Sequence, residues 1–598
     1  MKEFFKMVLA VICGLFLATI LFFILGMGFV SSMAAAGSAT PVIPKSGVMV
    51  MDMSKMVIAE QSTPAAPDVM SMISGGGMVE NVGLWKAVQA INTAAEDPAV
   101  KYIFIKPDGA SGGMAEMQEL RKALANFRLS GKPVVSYIEG PSTLSYYLAS
   151  VSDKIYMTEH LGASSMITGV GTTLMFYKDL LDKLGVNVQL IRHGKYKSAG
   201  EGFIKNAPSE ENLEQNQAMV DALWASLSSE IAEGRGLSVE AVNSAIDDLK
   251  LNLPEDFLRE GFVDELMSRE ALENKLADLA VVESFKKLKS FTLSDYISAK
   301  VTPNLKAKQK IAILYADGEI VAGNGRQQVS GEYFSRQVAK VRADSTIKAV
   351  VFRVNSPGGS VLASEQIKAE IELLKKEKPV VASYGEYAAS GGYWISNNCD
   401  KIYSDAVTLT GSIGVFSMIP DLSNTVRDLA HLNLVTVGSS KHVDMLSAMR
   451  PLSQDELDYM QASVESIYDR FVNIVAEGRG LEPEFVDSIA QGRVWAGSDA
   501  IKIGLVDEIG TLEDAVKWAA AAGGDADLTA WNIAEYPKPQ TQMEMMMEMV
   551  GQKSDPENIL AGTPFGDAAA LLLDWYGRVK DTPSDVTFAR IPYLIEVR

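Results

Sequence analysis

The sequence predicts an α/β protein in which one βαβ domain occurs twice in tandem. Short apolar runs, such as residues 102–105 and 311–314, alternate with helical stretches, such as residues 115–127 and 364–376. This alternation of strands and helices is typical of βαβ units around a mostly parallel sheet. Segments of the first half also recur in the second half, which indicates a duplication of the whole unit.

Four pairs of matching segments carry the internal repeat, and they occur in the same order in both halves. The pairs are residues 131–135 and 377–381, 153–156 and 400–403, 232–237 and 476–481, and 261–265 and 504–508. Each pair is separated by nearly the same interval, as a tandem duplication requires. We therefore predict a first repeat over residues 46–300 and a second over residues 301–530, joined near residues 299–310, where Pro303 interrupts the pattern.

The N-terminal segment, residues 1–45, predicts a membrane anchor followed by a short tether. Residues 7–30 form a run of 24 residues without a charge, and such a run can cross a hydrocarbon core of about 30 Å as one helix. Lys2 and Lys6 precede the run, so the body of the chain is expected outside the inner membrane, in a periplasm-like space. A cleaved signal peptide is the alternative, because residues 34–36 are small, but the run is longer than such peptides usually are.

The C-terminal segment, residues 531–598, departs from the strand and helix alternation. Residues 540–549 are rich in methionine, which adapts to irregular apolar surfaces. This stretch is interpreted either as a helix packed on its own domain or a neighbour, or as a surface that grips substrate or membrane.

Composition excludes several classes of function. The chain has 598 residues, 47% of them hydrophobic and 22% charged, which is ordinary for folded protein of two or more domains. Its net charge of −20 argues against a nucleic-acid partner. Cys13 and Cys399 are the two cysteines and there are four histidines, none in a metal-ligand spacing. The sequence therefore predicts no metal and no other cofactor.

A small-residue turn at residues 388–393, Ala-Ala-Ser-Gly-Gly-Tyr, follows an apolar run and is predicted to expose Ser390 between a strand and a helix. A hydroxyl there stands clear of its backbone, and the amides of the helix N-terminus can face a developing oxyanion. An ordinary helix N-cap is the alternative. A second glycine turn, residues 355–359, follows another predicted strand and favours a catalytic serine, because two such turns can supply nucleophile and oxyanion donor.

Three blocks, residues 353–359, 388–393 and 410–415, resemble the signal peptide peptidase A (protease IV) family in order and spacing. The resemblance covers most of the chain and fits the long, two-repeat form of that family. It implies a caseinolytic-protease/crotonase-like fold in each repeat and a ring- or bowl-shaped homo-oligomer, expected as a tetramer. It also implies a peptidase with a Ser-Lys dyad, whose substrates are cleaved signal peptides at the periplasmic face of the inner membrane.

The second repeat is predicted to hold the nucleophile. When the halves are laid over each other, Leu144 stands where Ser390 stands, and leucine cannot attack a carbonyl. The resemblance then makes Ser390 the nucleophile. It makes the amides of Gly359 and Gly391 the oxyanion hole.

The identity of the general base is less direct, because a serine hydroxyl needs an adjacent base and several candidates exist. Residues 194–199 match the lysine motif of the resembled family, which implies Lys197 as the base and Ser412 as the residue that orients it. The equivalent place in the second repeat carries Lys441, a departure from the family pattern that leaves a second candidate. His431 and His442 would serve a Ser-His-Asp arrangement, but neither falls in a family motif.

Three functions can be considered for a chain with these residues. The leading one is a membrane-anchored serine endopeptidase, since a tether at the membrane raises the effective concentration of the active site near membrane-resident peptides. A crotonase-like acyl-CoA enzyme would also use glycine amides as an oxyanion hole, but it fits poorly with an extracytoplasmic location. A membrane scaffold without catalysis is the third, and an intact Ser390 with Lys197 counts against it.

Overall fold

A computed structural model describes residues 40–63, 79–162, 166–326, 328–539, 544, 587–590 and 596–597. The predicted anchor at residues 7–30 lies outside the described residues, as does the methionine-rich stretch except Glu544. Within the described part of the chain, no helix is long and apolar enough to span a membrane.

The first half contains ten strands and ten α-helices among the described residues. In chain order they are β1 Gly47–Asp52, β2 Met56–Ala59, β3 Glu80–Gly83, α1 Leu84–Glu96, β4 Val100–Lys106, α2 Met114–Arg128, β5 Val134–Ile138, α3 Thr143–Ala149, β6 Lys154–Thr158, β7 Val170–Gly171, α4 Lys178–Lys183, β8 Asn187–His193, α5 Glu201–Ile204, α6 Glu210–Arg235, α7 Val239–Asp247, α8 Pro254–Arg259, β9 Glu265–Met267, α9 Arg269–Leu279, β10 Ser290–Thr292 and α10 Leu293–Lys300.

The second half repeats this alternation and adds the C-terminal strands. Its elements are β11 Lys310–Asp317, β12 Ile320–Val321, β13 Val329–Ser330, α11 Gly331–Ala343, β14 Ile347–Ser356, β15 Gly358–Ser360, α12 Val361–Lys375, β16 Val380–Ala389, α13 Gly391–Trp394, β17 Lys401–Ser404, β18 Leu409–Gly411, β19 Val415–Asp421, α14 Gln454–Arg479, α15 Pro483–Ile489, β20 Val494–Ala496, α16 Gly497–Ala500, β21 Glu508–Ile509, α17 Leu512–Gly523, β22 Asn532–Tyr536, β23 Thr587–Arg590 and β24 Glu596–Val597.

Two parallel sheets with the same strand order confirm the predicted duplication. The first runs β10-β1-β4-β5-β6-β9, and all of its neighbours are parallel. The second contains the equivalent parallel path β22-β11-β14-β16-β17-β21, and β18 and β20 extend it beside β16. The predicted α/β class with mostly parallel sheets is therefore confirmed, and the C-terminal strand β22 completes the second sheet.

The duplicated segment Ala-Glu-Gly-Arg-Gly explains why the two longest helices end where they do. It forms the last turn of α6 and of α14, and its final glycine follows each helix. Gly236 and Gly480 adopt φ angles of 65° and 64°, a left-handed conformation that costs glycine little and terminates helices. Both repeats thus use one local signal to stop a helix of 26 residues.

The two repeats are joined by a third sheet and by a shared core. Strand β8 of the first repeat pairs antiparallel with β19 of the second over seven residues. Ile191 of β8 is buried in the core of the second repeat, while Ala389 and Leu409 are buried in the core of the first. Side chains at the ends of β8 and β16 are therefore fixed relative to each other.

Candidate active site

Ser390 lies between the end of strand β16 and the start of helix α13, as the sequence predicts. Its φ angle of 55° is unusual for a residue other than glycine, and such strain is concentrated at functional sites. Its N–H donates to Gly411 O at 2.7 Å, which holds the turn against the adjacent strand β18. The prediction that this turn exposes the serine is wrong. Ser390 has no exposed surface.

Lys197 of the first repeat contacts the buried serine. It follows strand β8, and the pairing of β8 with β19 carries it into the second repeat. Its Nζ lies 2.9 Å from Ser390 Oγ, 3.1 Å from Ser412 Oγ and 3.2 Å from Ser412 O. A Cβ on Gly492 would collide with Lys197 Cβ at 2.6 Å, and a Cβ on Gly414 would stand 3.1 Å from Lys197 Cδ. Lys197 is thus fully buried with its amine at the serine hydroxyl.

The environment of Lys197 favours its neutral form. Burial lowers the pKa of Lys197 well below the usual value for a lysine. Its hydrogen-bond partners are a serine hydroxyl on each side and a backbone carbonyl, and no carboxylate among the described residues forms an ion pair with it. A neutral amine can accept the proton of a serine hydroxyl, which a charged ammonium cannot do.

Ser412 is the second hydroxyl at the lysine. It follows β18 with a φ angle of 48°, and its N–H donates to Arg493 O at 2.7 Å. This bond and the left-handed backbone fix its Oγ and carbonyl oxygen, both of which contact Lys197 Nζ. The amine is therefore held by Ser412 as well as by the nucleophile.

The two predicted glycine turns are brought together, because β14 and β16 are neighbouring strands. Ser356 pairs with Ala388 at their ends. A Cβ on Gly391 would stand 3.1 Å from Gly359 N and 2.9 Å from Ser364 Oγ, so the backbone packs too closely for any side chain there. Gly359 and Gly391, the two predicted amide donors, consequently lie side by side next to Ser390.

The other candidate bases lie elsewhere. Lys441 is exposed and forms an ion pair with Asp455 at 2.8 Å, and this hydrogen bond raises the pKa of Lys441. His442 Nδ1 lies 2.8 Å from Glu456 Oε1, and His431 is exposed in the segment before Lys441. None of these three residues contacts Ser390.

The equivalent place in the first repeat has a structural use. Leu144 is buried in the short helix α3. Ser142 and Ser145 cap this helix: Ser142 Oγ accepts from Ser145 N, and Ser142 N donates to Ser145 Oγ at 2.7 Å. The hydroxyls of Ser142 and Ser145 thus form hydrogen bonds with backbone N–H groups of this turn.

An extended segment of the chain itself lies beside the site, which the sequence did not predict. Strand β23 is antiparallel to β15, with Ala589 opposite Gly359, and antiparallel to β19, with Phe588 opposite Phe416. The space between these two strands therefore accepts an extended polypeptide. No pattern in residues 587–590 distinguishes them from an ordinary short strand, so sequence reasoning had no signal for this placement.

A strained serine at a buried amine, beside paired glycine amides and a slot for an extended strand, defines the class of serine hydrolases that act on peptides. Comparison with known proteins agrees. The model for peptidase family S49 matches residues 126–283 and 372–525, one segment in each repeat. The chain belongs to peptidase family S49, and it is a serine peptidase.

The relatives extend over most of the chain. Protease 4 of Haemophilus influenzae is 33% identical over 83% of this chain and 82% of its own length. Protease 4 of Salmonella typhi is 33% identical over 84% of this chain and 82% of its own length. The putative signal peptide peptidase SppA of Enterococcus faecium is 35% identical over 42% of this chain and 74% of its own length. These relatives confirm the resemblance to the two-repeat family and favour the peptidase over the acyl-CoA enzyme and the scaffold.

Among solved structures, ClpP1 from Listeria monocytogenes aligns with 34% of this chain and 92% of its own length. Its sequence identity is 18% and its TM-score is 0.22.

Proposed function

We propose that this serine peptidase is a membrane-anchored endopeptidase that degrades cleaved signal peptides, with Ser390 as nucleophile and Lys197 as general base. The observation that carries the catalytic assignment is the contact of 2.9 Å between Lys197 Nζ and Ser390 Oγ. It joins two repeats in a buried place, where burial lowers the pKa of Lys197 and so favours the neutral amine. The membrane anchor and the signal-peptide substrate rest on the sequence and on the name of one relative.

The chemistry follows from these positions. Ser390 Oγ attacks the scissile carbonyl carbon while its proton passes to Lys197 Nζ, and the amides of Gly359 and Gly391 stabilise the oxyanion. Lys197 then gives this proton to the leaving amine, and an acyl-enzyme on Ser390 remains. Water then attacks the ester carbonyl and gives a proton to Lys197 Nζ. Lys197 passes this proton to Ser390 Oγ as the ester bond breaks, which releases the acid product and restores the serine. Ser412 orients the amine through both steps.

The substrate is proposed to bind as an extended strand between β15 and β19, where it would take the place of β23. Strand β23 supports this mode, since it occupies that slot with antiparallel pairing on both sides. Backbone hydrogen bonds from two strands hold any sequence, which suits a peptidase that degrades diverse peptides. The slot also passes Gly359, so a carbonyl of the bound strand would reach the proposed oxyanion hole.

The test of the proposed function is hydrolysis of synthetic signal peptides by the detergent-solubilised protein and by its Ser390→Ala variant. The wild type should cleave these peptides internally, and the variant should not. Cell fractionation checks the location, because the protein should sediment with membranes. In spheroplasts, the chain after residue 45 should be digested by protease added outside. A body protected inside spheroplasts would contradict the periplasmic location.

We further propose that the protein forms a homo-oligomer, as the resemblance implies for a tetramer, through the second copy of the β8 arm. Gly194 and Lys197 after β8 correspond to Gly438 and Lys441, so residues 431–437 are the counterpart of β8. This counterpart has no strand partner in the described chain, and it is apolar: Val435 is 86% exposed and Val437 is 93% exposed. Exposed apolar runs of this kind mark contact surfaces.

The partner of this arm would be the first repeat of another copy. Gly171 and Met175 correspond to Gly414 and Met418, which makes residues 172–178 the counterpart of β19. Residues 172–176 pair with no strand among the described residues. A contact between unlike surfaces of successive copies closes into a ring when the rotation permits.

A cysteine pair tests this contact. In β8 and β19, Ile191 faces Ser417, so Val435 should face Leu174 of the next copy. Leu174→Cys with Val435→Cys, in a Cys13→Ser background, should form a disulfide between chains, whereas Leu129→Cys with Val435→Cys should not. Monomers in sedimentation experiments, with no cross-link, would overturn the proposed contact.

A further inference from the structure

A buried group of acids surrounds one arginine at the contact between the two repeats. This carboxyl cluster consists of Glu60, Glu116, Glu119, Arg353, Glu386 and Asp405. All but the partly exposed Glu386 are buried, at most 4% exposed. Three of the acids come from the first repeat, and the other members come from strands β14 and β16 and the end of β17. The cluster therefore crosses the same boundary as the contact between Lys197 and Ser390.

Arg353 compensates for only part of this negative charge. Its guanidinium lies 2.8 Å from Glu60 Oε2 and 2.8 Å from Glu119 Oε1, both in the other repeat. It also donates to Ser383 Oγ at 2.9 Å within its own repeat. Five carboxyl groups around one guanidinium cannot all be ionised in a buried place, so some of them carry a proton.

Glu116 and Glu386 are the pair that meets directly across the boundary. A Cβ on Gly113 would stand 2.0 Å from Glu116 Oε2 and 1.9 Å from Glu386 Oε2, so these two oxygens are close neighbours. Glu116 Oε2 is buried and has no hydrogen-bond donor among the described residues. The N–H of Met114, at the start of α2, donates to the Glu386 carboxylate. Two carboxyl groups this close in a buried place disfavour ionisation of both at once, so together they favour a state that retains a proton.

We infer that Glu116 and Glu386 share one proton and are positioning residues for catalysis. This proton links the strand of Ser390 to the repeat that supplies Lys197. Glu386 lies on β16, four positions before Ser390. Glu116 lies on α2, which belongs to the same repeat as Lys197. When the shared proton is lost, two charges repel across the boundary, and the distance between the amine and the hydroxyl is no longer fixed.

The direction of the pH dependence follows from the groups around the pair. Burial raises the pKa of Glu386 to about 7 and the pKa of Glu116 well above its usual value. Glu60 adds to both effects, and the charge of Arg353 opposes the effect on Glu116. Asp405 faces both Glu116 and Glu119, and Asp317, whose pKa burial raises to about 7, faces Glu60.

Because these folded-state pKa values lie above those of the unfolded chain, the folded state binds more protons. The stabilisation is complete below the unfolded value and is lost as pH rises through the folded value of about 7 for Glu386. Activity should then have two limbs. It rises with pH while Lys197 loses its proton, and it falls at higher pH as the carboxyl pair loses its own.

The test is the full-length protein with Glu116→Gln, whose amide keeps the shape and can donate to Glu386 but cannot lose a proton. Its melting temperature should fall less between pH 5 and pH 9 than that of the wild type. The ratio of kcat at pH 9 to its maximum should rise at least about threefold, since loss of one proton no longer weakens the site. The acid limb, which reports Lys197, should not move. Glu240→Gln, an exposed acid of the same repeat, is the control and should match the wild type.

Unchanged alkaline behaviour in both readouts would overturn the inference, as would an equal loss of stability at pH 5 and pH 9. Glu386→Gln is the second variant and should behave like Glu116→Gln. If neither folds at pH 5, the inference fails, because a neutral amide should replace a protonated carboxyl there. The prediction for kcat rests on the proposed dyad of Ser390 and Lys197, whereas the prediction for the melting temperature does not. If the dyad assignment were wrong, the difference in melting temperature would therefore remain.

Discussion

Lys197 Nζ lies 2.9 Å from Ser390 Oγ, although 193 positions separate the two residues and each belongs to a different repeat. The contact exists because strand β8 crosses from the first repeat to pair with β19 of the second. One copy of the domain therefore cannot form this site alone.

Ser390→Ala should abolish peptide hydrolysis without unfolding the protein, because its hydroxyl contributes little to the core. Ser145→Ala, at the equivalent turn of the first repeat, should keep activity near that of the wild type. This control should cost about 1 kcal/mol of stability, since it removes a helix-capping hydroxyl. Rates of peptide cleavage and circular dichroism melts measure both. A comparable loss of activity in both variants would mean that the nucleophile has been assigned to the wrong repeat.

Lys197→Ala should be inactive, and so should Lys197→Arg, because a guanidinium stays charged and cannot accept the serine proton. Lys441→Ala should retain most activity, since Lys441 is exposed and paired with Asp455. Initial rates of hydrolysis at saturating peptide, measured for all three variants, decide whether Lys197 or Lys441 is the base. If Lys441→Ala were the inactive variant, both the serine and the lysine of the dyad would have to come from the second repeat.

Lys197→Met should be inactive but more stable than the wild type at pH 7, by about 1–3 kcal/mol. The pKa of Lys197 is lowered by burial. As pH falls below the unfolded pKa, the unfolded chain therefore gains a proton that the folded chain does not bind, and the wild type loses stability. Methionine fills the same space without this loss. Urea unfolding at pH 7 and pH 10 should show the difference shrinking at the higher pH.

The rate of hydrolysis should rise with pH on the acid side of its profile, as Lys197 becomes neutral. The midpoint of this limb should lie well below the ordinary lysine pKa, because burial disfavours the ammonium. A profile of kcat/KM against pH reports this group in the free enzyme. A midpoint near the pKa of an exposed lysine would contradict the assignment.

Ser412→Ala should lower kcat by about 10- to 100-fold with little change in KM, because it removes a bond that orients the base rather than one that binds substrate. Lys197 Nζ would keep its bonds to Ser390 Oγ and Ser412 O. Steady-state kinetics separate the two constants. A rise in KM with kcat unchanged would instead indicate a role of Ser412 in binding the peptide.

A body that begins at Ser46 should fold and cleave peptides without residues 1–45. The first strand, β1, starts at Gly47 and pairs with β4 and β10, so the truncation leaves both sheets complete. Its activity on soluble peptides should equal that of the full-length protein. Loss of folding would show that the segment before β1 contributes to the core.

Much of the architecture follows from local patterns in the sequence. Apolar runs bounded by glycine turns predict strands such as β14 and β16, and the repeated segments predict the duplication. The motif around Ser390 and the replacement of its counterpart by Leu144 pointed to the second repeat as the source of the nucleophile. These signals are readable because they depend on neighbours in the chain: strand periodicity, helix-stopping glycines and turn residues.

Contacts between distant segments were decided by tertiary structure. The sequence offered both Lys197 and Lys441, in equivalent positions of the two repeats, and only the pairing of β8 with β19 placed one of them at Ser390 and left the other exposed. The burial of Ser390, the strand β23 beside the site and the carboxyl cluster around Arg353 likewise join residues hundreds of positions apart. The sequence indicates which groups can be buried or paired, but tertiary packing decides which of them come into contact. The physical reason is that desolvation and hydrogen bonding depend on the neighbours that each group has in the folded chain.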